Sequence, residues 1–503
     1  MPVVTIPAPV GGLNCRNGVQ AYAEGDAIRL INLVPRPGFV ETRPGTEYFS
    51  TNSITVVYTI FGHPNGTGIV CSSDTLYSTN DLTTSLATGL TLGVWQGVTF
   101  GDVVILLNGT DTPRVYNGTT AVTITATGPT VATLWNGIAF KGRCYYWSSG
   151  ERRFWYAAAA SYQGTLTAFD LATQTRGDGT LVVAVTMTMD GGNGPDDYIA
   201  FIFSDGETII YQGDDPGSAN SWQLVGRFEL PRPRGPQCAC NVGSSAVVFT
   251  DAGPVDLVEV MRRGPADAAT VFNQKIGTGP IGVTPYVTEA DAQILLDPYN
   301  KILWVFSYWP IISEPCQQAI GMDTETKSWF ATSEFDANST AAARYITCAG
   351  MVNGRLVVGD NQGRLCTVGT DTLSDAIGRS GVGASNTGFD LLTTYNPLGQ
   401  AGSRKAVTSL SFITGPKPER DSFYGDSNVA APTSMTAGAK FDTADISTAF
   451  GSTSYGSAPI TRGDQAPINV GGAGYNFAVG MRGTGGGIRI FGINAMVKPL
   501  GDR

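Results

Sequence analysis

Ten two-residue turn signals punctuate this chain: Asn-Gly at 17, 65, 108, 117, 136, 193 and 353, and Asp-Gly at 178, 190 and 205. Both dipeptides tolerate the positive φ angles that tight hairpin turns require. Between them lie short runs such as VVILL (103–107), YIAFIF (198–203), AVVFT (246–250), KILWVFSYW (301–309) and RLVVG (355–359). These have strand length and are rich in β-branched and aromatic residues. A chain interrupted this often has little room for long helices. The one stretch that reads as helical is short, near Ala266–Lys275. With 64 Gly, 15% charged residues and 42% hydrophobic content, the 503 residues read as an all-β chain with ample core, not as disorder.

A loose unit recurs: an apolar strand, a polar turn, then a strand carrying an aromatic residue. It appears in 101–118, 136–156, 198–213, 241–257, 301–330 and 352–369. Successive copies begin about 35–60 residues apart, which brackets the blade of a β-propeller. Around Asp323 and Trp329 the spacing Asp-x-x-x-x-x-Trp is that of two outer blade strands. Six or seven irregular blades fit within 55–372. Residues 1–54, with Pro35, Pro37 and Pro44, read as an N-terminal strap. Residues 373–503 read as a smaller C-terminal β-sandwich or platform domain, with a Gly-rich stretch at 471–487 followed by the strand-like IRIFGINAMV (488–497).

The net charge of −10 argues against a protein that grips nucleic acid through phosphates. Of the 32 basic residues, 24 are Arg, the base favoured at interfaces. The pairs Arg152–Arg153, Arg232/Arg234 and Arg262–Arg263 are therefore candidate subunit-interface groups. Eight scattered cysteines lack a disulfide framework, so reduced, buried thiols and cytosolic synthesis are expected. The first residues lack the basic and apolar regions of a signal peptide, and no apolar run reaches the ~18 residues of a membrane span.

Catalytic signatures are sparse. The single histidine, His63, excludes multi-His metal clusters, and its Gly-His-Pro-Asn context reads as an exposed turn. Cys238-x-Cys240 lacks zinc-knuckle spacing, and strand alternation would put both thiols on one face, in the core. The acidic pairs Asp196/Asp197 and Asp214/Asp215 could serve a glycosidase or bind calcium, but they sit beside Gly and Pro where Asp favours turns. No nucleotide-binding loop is present, and Arg462-Gly463-Asp464 reads as a chance tripeptide. No enzyme, cofactor or metal site is expected.

Two segments are more specific. GGLNCRNGVQAYAEGDAIRLINLVPRPGFVETRPGTEYF (11–49) carries a GGLN…R…N…PG…RPG lead-in. DDYIAFIFSDGETIIYQGDDPGSANSWQLVGRFELPRPRGPQCACNVGSSAVVFTDAG (196–253) places a strand pair ending in an aromatic before a GP…N-G…F-T-D-G element. Both resemble the nozzle, or tail tubular protein B, group of short-tailed double-stranded DNA bacteriophages, which includes packaged-DNA stabilisation proteins. TTYNPLGQAGSRKAVTSLSF (393–412) is similar to the closing β-domain of that group. The resemblance implies a homo-oligomeric ring, typically a hexamer, in the virion tail. It would sit below portal and adaptor and above tail tip or fibre proteins. Genomic DNA would be retained and then pass through during ejection without tight binding. The alternative is a glycan-binding or glycan-hydrolysing propeller of a phage tail.

Overall fold

In the computed structural model the described residues are 2–15, 22–50, 52–91, 94–190, 195–264, 275–276, 291–308, 319–332, 346–369, 374–375, 385–386, 389–398, 404–416, 434–441, 453–455, 463–464, 468–484 and 488–500. Seven sheets follow one another around an axis, as a β-propeller. The first four are four-stranded meanders. They run from Thr59 to Ala87, Gln96 to Thr123, Leu134 to Asp170 and Leu181 to Glu229. The fifth has three strands between Ala239 and Asp256, and a helix, Leu257–Arg263, follows it directly. The sixth holds Asp291–Asp297, Ile302–Tyr308, Ala319–Asp323 and Trp329–Ala331, with Met322 opposite Trp329 as the Asp-to-Trp spacing predicts. The seventh has Ile346–Val352, Arg355–Asp360 and Leu365–Val368, and its fourth strand is Thr46–Tyr48 from the N-terminal region. Thr46 pairs with Val368 and Tyr48 with Cys366, so the ring is closed by distant sequence.

Wedges of apolar side chains fill the spaces between blades. Ile69, Trp95 and Leu106 lie between the first and second blades. An aromatic stack joins the third and fourth, with Phe154 and Phe201 rings 4.8 Å apart and Tyr211 and Trp222 5.1 Å apart. The last blade meets the first by backbone contact. A Cβ on Gly62 would lie 2.0 Å from the Met351 carbonyl oxygen, and one on Gly350 2.4 Å from that of Ile60.

Both ends of the chain enter a second body of two packed sheets. One contains Val3–Pro7, Leu33–Arg36, Phe39–Thr42, Lys405–Pro416, Gly463–Asp464, Ile468–Gly474 and Ile488–Pro499. The other runs on from the sixth blade through Asp26–Ile31, Phe389–Thr393, Phe477–Thr484, Ser434–Phe441 and Thr453–Tyr455. One buried core spans this sandwich and the later blades, from Leu30 and Phe412 to Trp304 and Val358.

Two local expectations change. Residues 265–274, most of the stretch read as helical, lie outside the described residues, while a helix forms just before them. Asp256 caps it by accepting from the Val258 and Glu259 amides, a signal hidden inside a strand-like run. Asn136–Gly137 is no turn: it lies within the innermost strand Leu134–Phe140. By contrast Asn353–Gly354 and Asp205–Gly206 do close hairpins, with Asn353 at φ 51° and Gly354 at φ 70°.

Candidate functional site: the propeller axis and the joint

The innermost strands of the blades line an axial cavity of about 390 Å³. Among the described residues, its lining carries no charged side chain. Its polar side chains are Thr99 and four carboxamides, and three of the carboxamides, Gln293, Asn136 and Gln237, tie blades together. Gln293 Nε2 donates to the Ala349 carbonyl (2.8 Å) while its Oε1 accepts from the Ala349 amide (2.9 Å), clamping the sixth blade to the seventh. Asn136 Nδ2 reaches the carbonyls of Val182 (3.4 Å) and Pro236 (3.3 Å), linking the third blade to the fourth and fifth. Gln237 Nε2 approaches the Trp95 carbonyl at 3.5 Å, from beside the fifth blade to the start of the second. Such an axis can hold blades in register and hydrogen-bond neutral groups. It offers no acid–base pair. The sequence signal for these residues was faint: a lone amide among apolar inner-strand positions, as in AQILLD.

The joint between propeller and sandwich is ionic and buried. Arg36 Nε meets Glu41 Oε1 at 3.1 Å, its Nη1 pairs with Asp323 of the sixth blade, and its Nη2 donates to the Asn300 carbonyl at 3.1 Å. Glu41 also pairs with Arg489 at 3.1 Å. Asp323 is fully buried.

The arginines singled out from sequence lie on separate elements. Arg153 pairs with Glu151 (3.1 Å), and Arg152 donates to the Gly177 carbonyl (2.9 Å). Arg234 pairs with Asp251 (2.7 Å), and Arg232 is exposed. Arg262 and Arg263 both lean on Glu259, at 3.6 and 2.8 Å, at the C-terminal end of the helix, where cations suit its dipole. The acidic pairs act as turn and bridge residues. Asp197 accepts from Thr188 (2.8 Å) and faces Lys141 (4.0 Å), and Asp215 faces Arg143 (3.4 Å) while accepting from the Gly217 amide. The Asp196 side chain and Arg462 lie outside the described residues.

His63 is in a turn but is buried, not exposed. Its Nε2 donates to the Asp102 carbonyl (2.5 Å) and Nδ1 accepts from the Asn65 amide, so both nitrogens serve loop packing between blades one and two. Cys238 is fully buried and Cys240 packs half-buried against the same core. Burial pushes the Cys71, Cys144 and Cys240 thiols up to about 12. Cys316 lies outside the described residues. Among the described residues no group of three or more His, Cys, Asp or Glu is arranged to hold a metal, and no helix is long and apolar enough to cross a membrane.

No family model and no curated protein matches the chain. Solved β-propeller structures do. YCF48 from Cyanidioschyzon merolae shares 11% identity over 64% of this chain and 98% of its own, with a TM-score of 0.37. BamB from Moraxella catarrhalis shares 10% over 67% and 93%, with a TM-score of 0.35. Raptor from Chaetomium thermophilum shares 11% over 65% and 29%, with a TM-score of 0.41. The chain is a β-propeller by its own sheet order, and these likenesses concern fold alone.

Proposed function

We propose that the chain is a non-catalytic structural subunit of a short-tailed phage tail, forming a nozzle ring for genome retention and passage. The observation that carries the reading is the joint. The propeller and a platform made from both chain ends share one buried core and a buried Arg36–Glu41–Asp323 network. That build suits a load-bearing block more than a container for a ligand. The three sequence segments that resemble the nozzle group support it, as do acidic pairs spent on turns and bridges. DNA would have to run between subunits, because each propeller axis is narrow and spanned by carboxamides. The platform and propeller would then form the wall, in virions assembled in a bacterial cytoplasm.

The purified protein, alone or mixed with its portal and adaptor, should assemble into closed rings visible as rotationally symmetric particles by electron microscopy. Reversing Arg152, Arg153, Arg232, Arg234, Arg262 and Arg263 to Glu should reduce ring yield without unfolding the subunit. A strictly monomeric protein that stays off portal–adaptor complexes at every concentration would sink the proposal. Sugar release from capsule or lipopolysaccharide, lost on Asp197→Asn or Asp215→Asn, would transfer the assignment to a glycosidase.

A further inference from the structure

A second buried polar group lies where the N-terminal region crosses the propeller, and its chemistry is not that of a simple ion pair. Asp26 begins the strand Asp26–Ile31, and Gly12–Leu13 runs parallel beside it, with Gly12 opposite Asp26. This register sets Asn14 next to Asp26. Asn14 Nδ2 donates to Asp26 Oδ2 at 2.7 Å, and both residues are only 2% exposed. Lys275, from the segment between the fifth and sixth blades, completes the group. Its Nζ lies 2.7 Å from Asp26 Oδ1 and donates to the Gly11 carbonyl at 2.7 Å. The two backbones are tied as well, since the Cys15 amide donates to the Lys275 carbonyl at 2.6 Å. One carboxylate therefore holds an amine on one oxygen and a carboxamide on the other. Asn14 and Asp26 are shut off from water while the Lys275 side chain is 34% exposed; burial pushes the neighbouring Cys15 thiol up to about 12, and burial with the nearby Cys15 and Asp26 charges does the same to the Tyr22 phenol.

We propose that Lys275 and Asn14 form an intramolecular isopeptide bond, with Asp26 as the proton carrier. The buried Asp26 carboxylate sits between the two reacting groups, 2.7 Å from the Lys275 amine and 2.7 Å from the Asn14 carboxamide nitrogen. A proton moves from Nζ to Asp26, which frees the amine lone pair. Nζ attacks Cγ of Asn14, and Asp26 stabilises and protonates the departing Nδ2. The C–Nδ2 bond breaks, the Cγ–Nζ amide forms and one ammonia leaves. The proton that Asp26 took from Nζ leaves with the ammonia as ammonium, so Asp26 ends as the carboxylate it began as, and no oxidant, metal or co-reactant is consumed. Preorganisation replaces an external catalyst, since the fold brings the Lys275 amine and the Asn14 carboxamide to the two oxygens of one carboxylate. The product would bolt the N-terminal region to the propeller by a covalent bond between residues 261 positions apart. The inference does not depend on the tail reading.

The test is mass spectrometry on the full-length protein, folded and then denatured. The intact mass should fall short of the sequence mass by one ammonia. Trypsin should release a branched peptide joining residues 1–16 to residues 264–301, uncleaved after Lys275. A succinimide at an Asn-Gly turn gives the same loss of ammonia, so the branched peptide decides. Lys275→Arg and Asn14→Ala should abolish it, and Asp26→Ala should leave chains uncrosslinked while circular dichroism still reports a folded β protein. Full sequence mass in wild type with normal cleavage after Lys275 overturns the proposal, whatever the variants do. A deficit of one water would also overturn it, by making Asp26 the acyl partner.

Discussion

Replacing Arg36 with Met probes the joint most directly. Met keeps much of the side-chain length but removes every donor. Asp323, fully buried, would keep its turn bonds from the Glu325 and Thr326 amides and the Thr326 hydroxyl, yet lose the one cation that pairs with it among the described residues. Glu41 would keep Arg489. Removing one partner of a buried pair costs about 3–5 kcal/mol, against about 0–1 for an exposed one. With roughly 2.1 cal/mol/K per residue, the 503-residue chain has an unfolding entropy of about 1 kcal/mol/K. The melting temperature should then fall by about 3–5 °C. Trp304 and Trp329 lie in the sixth blade beside Asp323, so the urea midpoint of their fluorescence reads the loss at the joint itself. Asp323→Asn in the Arg36→Met background should recover part of the loss. Asn keeps the Oδ1 acceptor that organises the turn, while its neutral Nδ2 replaces the stranded charge. A single-variant loss under about 1 kcal/mol, or no recovery in the double variant, would show that the network does not hold propeller to platform.

Gly350→Ala should destabilise the ring seam by about 1–3 kcal/mol, because its Cβ would meet the Ile60 carbonyl at 2.4 Å, whereas Gly25→Ala, with 3.8 Å to its nearest neighbour, should be close to neutral; equal midpoints for the two would count against the seam. Stability should erode above about pH 8.5 as thiols and phenols ionise. Cys71, Cys144 and Tyr211 are raised by burial to about 12 in the folded chain, so their contribution is complete below the unfolded values and is lost as pH rises toward 12; a urea midpoint unchanged from pH 8 to pH 11.5 refutes this. A labelled duplex should show no binding tighter than about 10⁻⁴–10⁻⁶ M by fluorescence anisotropy at physiological salt, in keeping with a net charge of −10; nanomolar, steeply salt-sensitive binding would reveal a basic surface and end the sliding-wall idea.

Local signals carried the strand-and-turn make-up of the blades into the sequence, while the choice between six and seven blades came only from the sheet order. Asp-Gly at 205 and Asn-Gly at 353 mark real hairpins because only residues tolerant of positive φ fit there. Lys141 and Ser73 adopt positive φ at equivalent places, at 45° and 48°, without any such dipeptide to announce them. What sequence could not show is long-range pairing. Nothing in TEY (46–48) says that it belongs beside LCTV (365–368), since a three-residue edge strand has no periodicity to read. Likewise Arg36 looks like a loop arginine among prolines until Asp323, 287 positions away, is placed against it. The axial amides were missed for the same reason: one Gln in an apolar strand acquires meaning only when the neighbouring blade supplies its partner.

These long-range pairings also set how the molecule must come apart. A propeller closed by a strand from the other end of the chain cannot lose its last blade without releasing that strand. Here the closing strand, Thr46–Tyr48, directly follows the hairpin Leu33–Thr42 that pairs with Ile488–Pro499. Upstream, Asp26–Ile31 sits between the sixth blade's Trp329–Ala331 and the platform's Phe389–Thr393. Residues 22–50 are therefore held by the ring on one side and by the platform on the other. Opening the ring pulls on the platform, and melting the platform exposes the edges of the sixth and seventh blades. Two bodies that would fold apart if joined by a linker become one cooperative unit, because the same short stretch completes both.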